Sequence, residues 1–156
     1  MRSVTVRVVT FVCIAVASAL AWPGGAAADQ AYHTEHLALE PVADAPLRSG
    51  FVVNAHANGQ SIYANERYVL NGAAPDATYQ VTLLIFPGDV ACAGAGTPIP
   101  TAELATNAAG NGEARATFTT SDVPPDWVGT TVGGLWQVSL GGSVVYTTAC
   151  TAITLD

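Results

Sequence analysis

Three histidines, His33, His36 and His56, carry the most specific chemistry in this chain. Imidazoles converging on one ion would suit copper or zinc. A spacing of three residues brings His33 and His36 together on a helix, but on an extended chain it sends them to opposite faces. The surrounding segment reads as extended, so the expectation is solvated histidines and no cofactor, with a metal site on His33, His36 and His56 kept as an alternative. A copper electron-transfer centre is disfavoured further, because it needs a cysteine closely followed by histidine and methionine, and Met1 is the only methionine.

Other constellations are weaker still. Residues 107–113 hold oxygen ligands and glycines, yet lack the D-x-[DN]-x-[DN]-G order of a calcium loop and read as a plain connection. There is no G-x-S-x-G, and neither Ser139 nor Ser143 has a histidine near it in sequence. Twelve carboxylates allow many acid pairs, none in a recognisable glycosidase setting. Trp127 and Trp136, with Tyr63 and Tyr146, could offer a stacking platform to sugar rings. Trp136 shares its parity with Val138 and Leu140, which assigns it to the core. Trp127 stands in a Pro-rich loop, either plugging one end of the fold or exposed as a ligand contact. The chain is therefore read as non-catalytic.

These residues must be positioned by a single domain. Residues 1–28 carry Arg2 and Arg7, an apolar run, Pro23-Gly24 and small residues at Ala26 and Ala28, the pattern of a secretory signal peptide cleaved after Ala28. Cleavage after Ala21 is the lesser option. Residues 29–156 form the expected mature domain. Loss of the two leader arginines leaves three basic against twelve acidic residues, a net charge of −9 in place of −7, with no lysine anywhere. That balance argues against nucleic acid and anionic lipid as partners, since phosphates are held by clustered Lys and Arg. The expectation is a secreted or envelope-associated protein, monomeric, with no membrane contact after processing. Cys92 and Cys150, the two cysteines of the mature domain, are read as one disulfide in an exported chain. It would close a loop of roughly 60 residues, worth about 4 kcal/mol in the chain-entropy model.

The strongest strand signal is at residues 79–86, where Tyr79, Val81, Leu83 and Ile85 alternate with Gln80, Thr82, Leu84 and Phe86. Leu84 and Phe86 make the second face apolar as well, so this end should be covered on both sides. Further strands are predicted at 35–40, 50–57, 62–70, 102–106, 113–119, 132–140 and 144–155. Phe51, Val53 and Ala55 share one face of the second of these. Residues 102–106 and 113–119 read as a hairpin, residues 87–100 as a long loop, and Gly141-Gly142 as a turn. In the last segment Tyr146 and Cys150 share one parity while Ile153 and Leu155 share the other, so an extra residue is expected near Thr151-Ala152. No helical periodicity appears. The fold class is all-β, an antiparallel β-sandwich of seven to eight strands with one disulfide.

The stretch Leu70-Asn71-Gly72-Ala73-Ala74-Pro75-Asp76-Ala77-Thr78-Tyr79 resembles the corner of fibronectin type III and related immunoglobulin-like domains, where leucine, proline and tyrosine lead into a central strand. The resemblance implies that the Tyr79 hydroxyl bonds back to nearby backbone. Residues 106–112 with the strand after them are similar to bacterial surface immunoglobulin-like repeats. A secreted immunoglobulin-like sandwich implies adhesion, spacing or binding of an unknown protein or carbohydrate partner. Residues 87–100 and the Trp127 loop are the expected contact regions.

Overall fold

A computed structural model describes residues 32–57 and 62–155. The leader assigned to residues 1–28 lies outside these residues. The described chain forms β1 (Tyr32–Ala38), β2 (Glu40–Pro41), β3 (Ser49–Ala57), β4 (Ile62–Asn71), β5 (Thr78–Pro87), β6 (Thr97–Ala105), β7 (Gly112–Thr119), β8 (Thr131–Leu140), β9 (Ser143–Thr147) and β10 (Thr151–Thr154), with no helix among them. Two antiparallel sheets result. One has the order β1-β3-β4-β7; the other runs β2-β9-β8-β5-β6, with β10 also pairing with β8. Together they make a β-sandwich closed over one apolar core.

Ten strands replace the eight expected because the first and last predicted strands are each broken in two. The first switches sheets at buried Leu39, between β1 and β2. The last is interrupted at residues 148–150. Thr147 lies opposite Gln137 and Thr151 opposite Gly134, so four steps on one strand match three on the other. That gained residue turns both Tyr146 and Ile153 inward, which resolves the parity conflict, slightly upstream of the expected place.

Two other expectations are corrected. The arms at 102–106 and 113–119 do not form a hairpin: β6 pairs with β5 in one sheet and β7 with β4 in the other. Their connection is held instead by the β4–β5 corner, where Asp76 N–H donates to Asn107 O and Ala73 N–H to Gly110 O. A side chain at Gly110 would sit 2.1 Å from Ala73 O, and its φ of +72° also favours glycine, so this residue fixes the close approach. The loop after β5 is also shorter than predicted, since β6 begins at Thr97 and includes Pro98 and Pro100. It is an edge strand, where proline costs no ladder hydrogen bond on the open side.

The core is built where alternation from both sheets meets. Tyr68, Leu70 and Val52 face Val81, Leu104, Trp136 and Val138, all essentially inaccessible to solvent. Each such aliphatic side chain contributes about 1.5–3 kcal/mol through burial. Phe86, on the outer face of its sheet, is buried too, because the loop after β5 folds back and lays Gly96 against its ring. Cys92 in that loop is bonded to Cys150 just before β10, so the cover is fastened covalently to the sheet it lies on.

Candidate functional site

Register gives the sandwich two different ends. Pro87 pairs with Val132, Ile62 with Thr119 and Tyr32 with Ala57. The start of β1, the end of β3, the loop 88–96 and the loop 120–130 therefore gather at one end. The corner at 72–77, the connection at 106–111 and the Gly141-Gly142 turn gather at the other.

Beneath the loop 120–130 a crevice runs into the core. Its walls are apolar, including Leu83, Ile85, Phe118, Val123, Trp127 and Ile153, and its polar residues are Asn54, His56, Glu66 and Asp122. The void measures about 440 Å³ including the open solvent at its mouth, of which only about 30 Å³ is wide enough for water. A bulge helps to shape its inner wall. Ile62 pairs with Thr119 and Ala64 with Phe118, which leaves Tyr63 as the extra residue and turns both Tyr63 and Ala64 inward.

Asn54, His56 and Glu66 come from inward positions of β3 and β4, and Asp122 from the loop 120–130. Val52, Asn54 and His56 are buried, so the face bearing Phe51, Val53 and Ala55 is the outer one. Asn54 pairs with Glu66 on one side and with Glu35 on the other, which makes a polar row across the inner face of the four-stranded sheet. Asn54 Nδ2 lies 2.8 Å from His56 Nε2. Asn54 Oδ1 is buried without a hydrogen-bond partner among the described residues. Leaving such an acceptor unmatched costs about 1–3 kcal/mol.

Glu66 is 3% exposed and receives two donors on the same oxygen. Trp136 Nε1–H donates to Oε2 at 2.8 Å from the opposing sheet, and the Tyr68 hydroxyl donates to it from the same strand. Burial raises the Glu66 carboxyl to about 7, while the Tyr68 and Trp136 hydrogen bonds pull the other way. Tyr68 is itself pushed well above the usual phenol range, by burial first and then by Glu66. At neutral pH Glu66 is thus poised between acid and carboxylate, which suits it to exchange a proton or to meet a cation. Among the described residues no Ser, Thr, Cys or Lys lines the crevice beside it.

The residues singled out in the sequence fall into separate places. His36 is exposed on the outer face, its ring stacked on Phe51 with centroids 4.5 Å apart. His56 points to the inner face, so these two do not share an ion. The His33 backbone pairs with that of His56; its side chain lies outside the described residues. Among the described residues no three His, Cys, Asp or Glu side chains converge as a metal set. Trp136 is core and bonded to Glu66. Trp127 is half-buried against the core and walls the crevice. The Tyr79 hydroxyl accepts a hydrogen bond from Ala74 N–H at 3.0 Å across the corner.

The loops at this end are acidic and stiffened from within. Asp89 accepts hydrogen bonds from Ala91, Ala93 and Gly94 N–H, and these hold its carboxyl below the usual range, Gly94 most of all. Asp122 is lowered likewise by Thr119 N–H and its hydroxyl. Gly129 N–H donates to Leu155 O and Leu155 N–H to Thr130 O, which fastens the Trp127 loop to the segment after β10.

Sequence reasoning passed over Glu66, Asn54 and the crevice. One signal was present: Glu66 shares the parity of Tyr68 and Leu70, the large residues that alternation in the strand 62–70 turns to one face. No protein-family model matches this sequence, and neither does any curated protein or solved structure.

Proposed function

We propose that this chain is a secreted, non-catalytic interaction module of the cell envelope or medium that makes contact through the loop end of the sandwich. The observation that carries this reading is the placement of two exposed valines, Val90 at 53% and Val128 at 44%, on the two loops that strand register brings to one end. Apolar side chains held out on loops that are pinned by Asp89 and by Leu155 offer contact area without a large ordering cost. The disulfide and the sandwich are compatible with an extracellular setting. The immunoglobulin-like relation belongs to the same proposal. It is supported by the sheet crossover at residues 72–77 with the Tyr79 hydroxyl bonded inside it.

The test is retention of purified protein on washed cells or isolated envelopes. The double variant Val90→Asp, Val128→Asp should lose retention, whereas Val42→Asp, an equally exposed valine near the other end, should keep it. Equal retention of all three would reject the loop end as the contact. Recovery of the native protein only from the cytosol, with Met1 intact, would reject secretion.

A further inference from the structure

An edge strand exposes N–H and C=O groups that a further strand can pair with, and most edges of this sandwich carry something that discourages it. β6 contains Pro98 and Pro100, β1 turns Glu35 to the inner face, β9 is partly covered by β2, and β10 is four residues long. β7 has none of these devices: Gly112–Thr119 pairs with β4 alone and contains no proline. The direction of its backbone groups is fixed at both ends. Thr119 N–H donates to Asp122 Oδ2 and Asp122 N–H to Thr119 O, while Asn111 N–H donates to Asn107 Oδ1 and Asn107 N–H to Asn111 O. Both residues thus point their main-chain groups away from β4. In an antiparallel ladder that direction alternates from one residue to the next. Glu113, Arg115 and Thr117 therefore also present N–H and C=O to the open side, between two ends that are already capped.

The side chains of this window differ between its two faces. Ala114 and Ala116 are half-buried against the core, so a strand laid alongside would cover the rest of them. On the outer face Arg115 stands opposite Arg67. Glu113 bridges the two, its Oε2 2.6 Å from Arg67 Nη2 and its Oε1 3.1 Å from Arg115 Nη2, which leaves two cations on one carboxylate. A guanidinium has five N–H donors, and the Arg115 side chain is 74% exposed, so it can take a second carboxylate without releasing the first.

We propose that the open edge of β7 takes up an extended segment of a partner protein as a fifth strand of this sheet, antiparallel to β7 and with the pattern apolar-acidic-apolar. The acidic residue lies opposite Arg115 on the outer face, and its two apolar neighbours lie beside Ala114 and Ala116 on the inner one. Main-chain bonds to Glu113, Arg115 and Thr117 supply the affinity, and the alternating side chains supply the selectivity. The β7 strand of a second copy fits poorly. The one antiparallel register that uses all three open residues and spares both capped ends centres Arg115 on its own copy, and like charges directly opposite are destabilising. This surface is separate from the loop end, and the proposal does not rest on that reading.

The experiment is an NMR titration of the oxidised, isotope-labelled protein with acetyl-Thr-Val-Glu-Val-Thr-amide. One comparison peptide carries Lys in place of Glu; another keeps the Glu but has its main-chain nitrogen methylated. The expected result is saturable shifts of the Glu113, Arg115 and Thr117 backbone amide signals, with slower hydrogen exchange at all three. Both comparison peptides should bind at least fivefold more weakly, and Arg115→Glu should reverse the preference between Glu and Lys. Equal binding of the N-methylated peptide would show a side-chain contact and overturn strand addition. Equal binding of the Lys peptide would overturn the acidic pattern, and no saturable shift at the three amides would overturn the proposal outright. Sedimentation of the protein alone tests the remaining occupant: a dimer that protects the same three amides would overturn the assignment to a partner in favour of a second copy.

Discussion

Trp136 and Glu66 are 70 residues apart and belong to opposite sheets, yet the indole N–H of one donates to the carboxyl of the other at 2.8 Å in the middle of the sandwich. This bond joins the sheets with a directional contact where the rest of the core relies on shape. It also places an ionisable group where water cannot solvate it. The carboxyl is raised to about 7 from an ordinary value of 4.5, so between those values the folded protein holds a proton that the unfolded chain has released. Stability is therefore greatest below about pH 4.5 as far as this group is concerned, and falls as pH rises towards 7, by on the order of 3 kcal/mol in total. Urea unfolding at intervals from pH 5 to 8 should show this decline, and Glu66→Gln should flatten it. A variant with the same slope as the parent would mean that another group sets the trend.

Tyr79 anchors the crossover between sheets by accepting the Ala74 N–H. Its ring is buried, so Tyr79→Phe keeps the packing and removes only the oxygen. The amide of Ala74 is then left half-buried without that partner. The expected loss is about 1–2 kcal/mol, read from the urea midpoint with an unchanged slope. A neutral substitution would show that water replaces the hydroxyl and that Ala73, Gly110 and Asn107 hold the corner by themselves.

Most of the strands were legible because burial imposes a period of two on a half-buried strand, as in Tyr79 to Ile85 and Val132 to Leu140. Pairing was less legible, since alternation in 102–106 and 113–119 says that each arm is a strand but carries no information about which sheet it joins. The Gly-rich connection looked like a hairpin turn; its glycine at 110 instead serves the contact with Ala73. Pro98 and Pro100 hid the start of β6, because proline excludes a central strand but not an edge. The crevice stayed hidden for a different reason. Glu66 and Asn54 are polar residues at inward positions, and their acceptability depends on Trp136 and Tyr68, which only the folded chain brings to them.

The bond between Cys92 and Cys150 joins two segments 58 positions apart. In the chain-entropy model its removal should cost about 4 kcal/mol. Both reduction and the Cys92→Ser, Cys150→Ser pair of substitutions test this, by thermal or urea unfolding. The loop 88–96 should loosen first, since with the bond gone it is held to the sheet by Gly96 on Phe86 and by its hydrogen bonds to neighbouring backbone. Faster hydrogen exchange in this loop than in β5 and β8 is the expected signature.

Gly133 is the residue that lets this loop lie flat on its sheet. A methyl group there would stand 2.3 Å from Asp89 O and 3.0 Å from Cys92 Sγ, and the first of these is backbone that cannot turn aside. Gly133→Ala should therefore destabilise by about 1–3 kcal/mol through overpacking. In the protein lacking both cysteines the loop is free to lift, so the same substitution should cost less than it does with the disulfide in place. The double-mutant cycle built from these four proteins measures that coupling directly. Strict additivity would mean that the loop is held down by Asp89 and Phe86 rather than by sulfur, and that the covalent bond acts only on the unfolded chain.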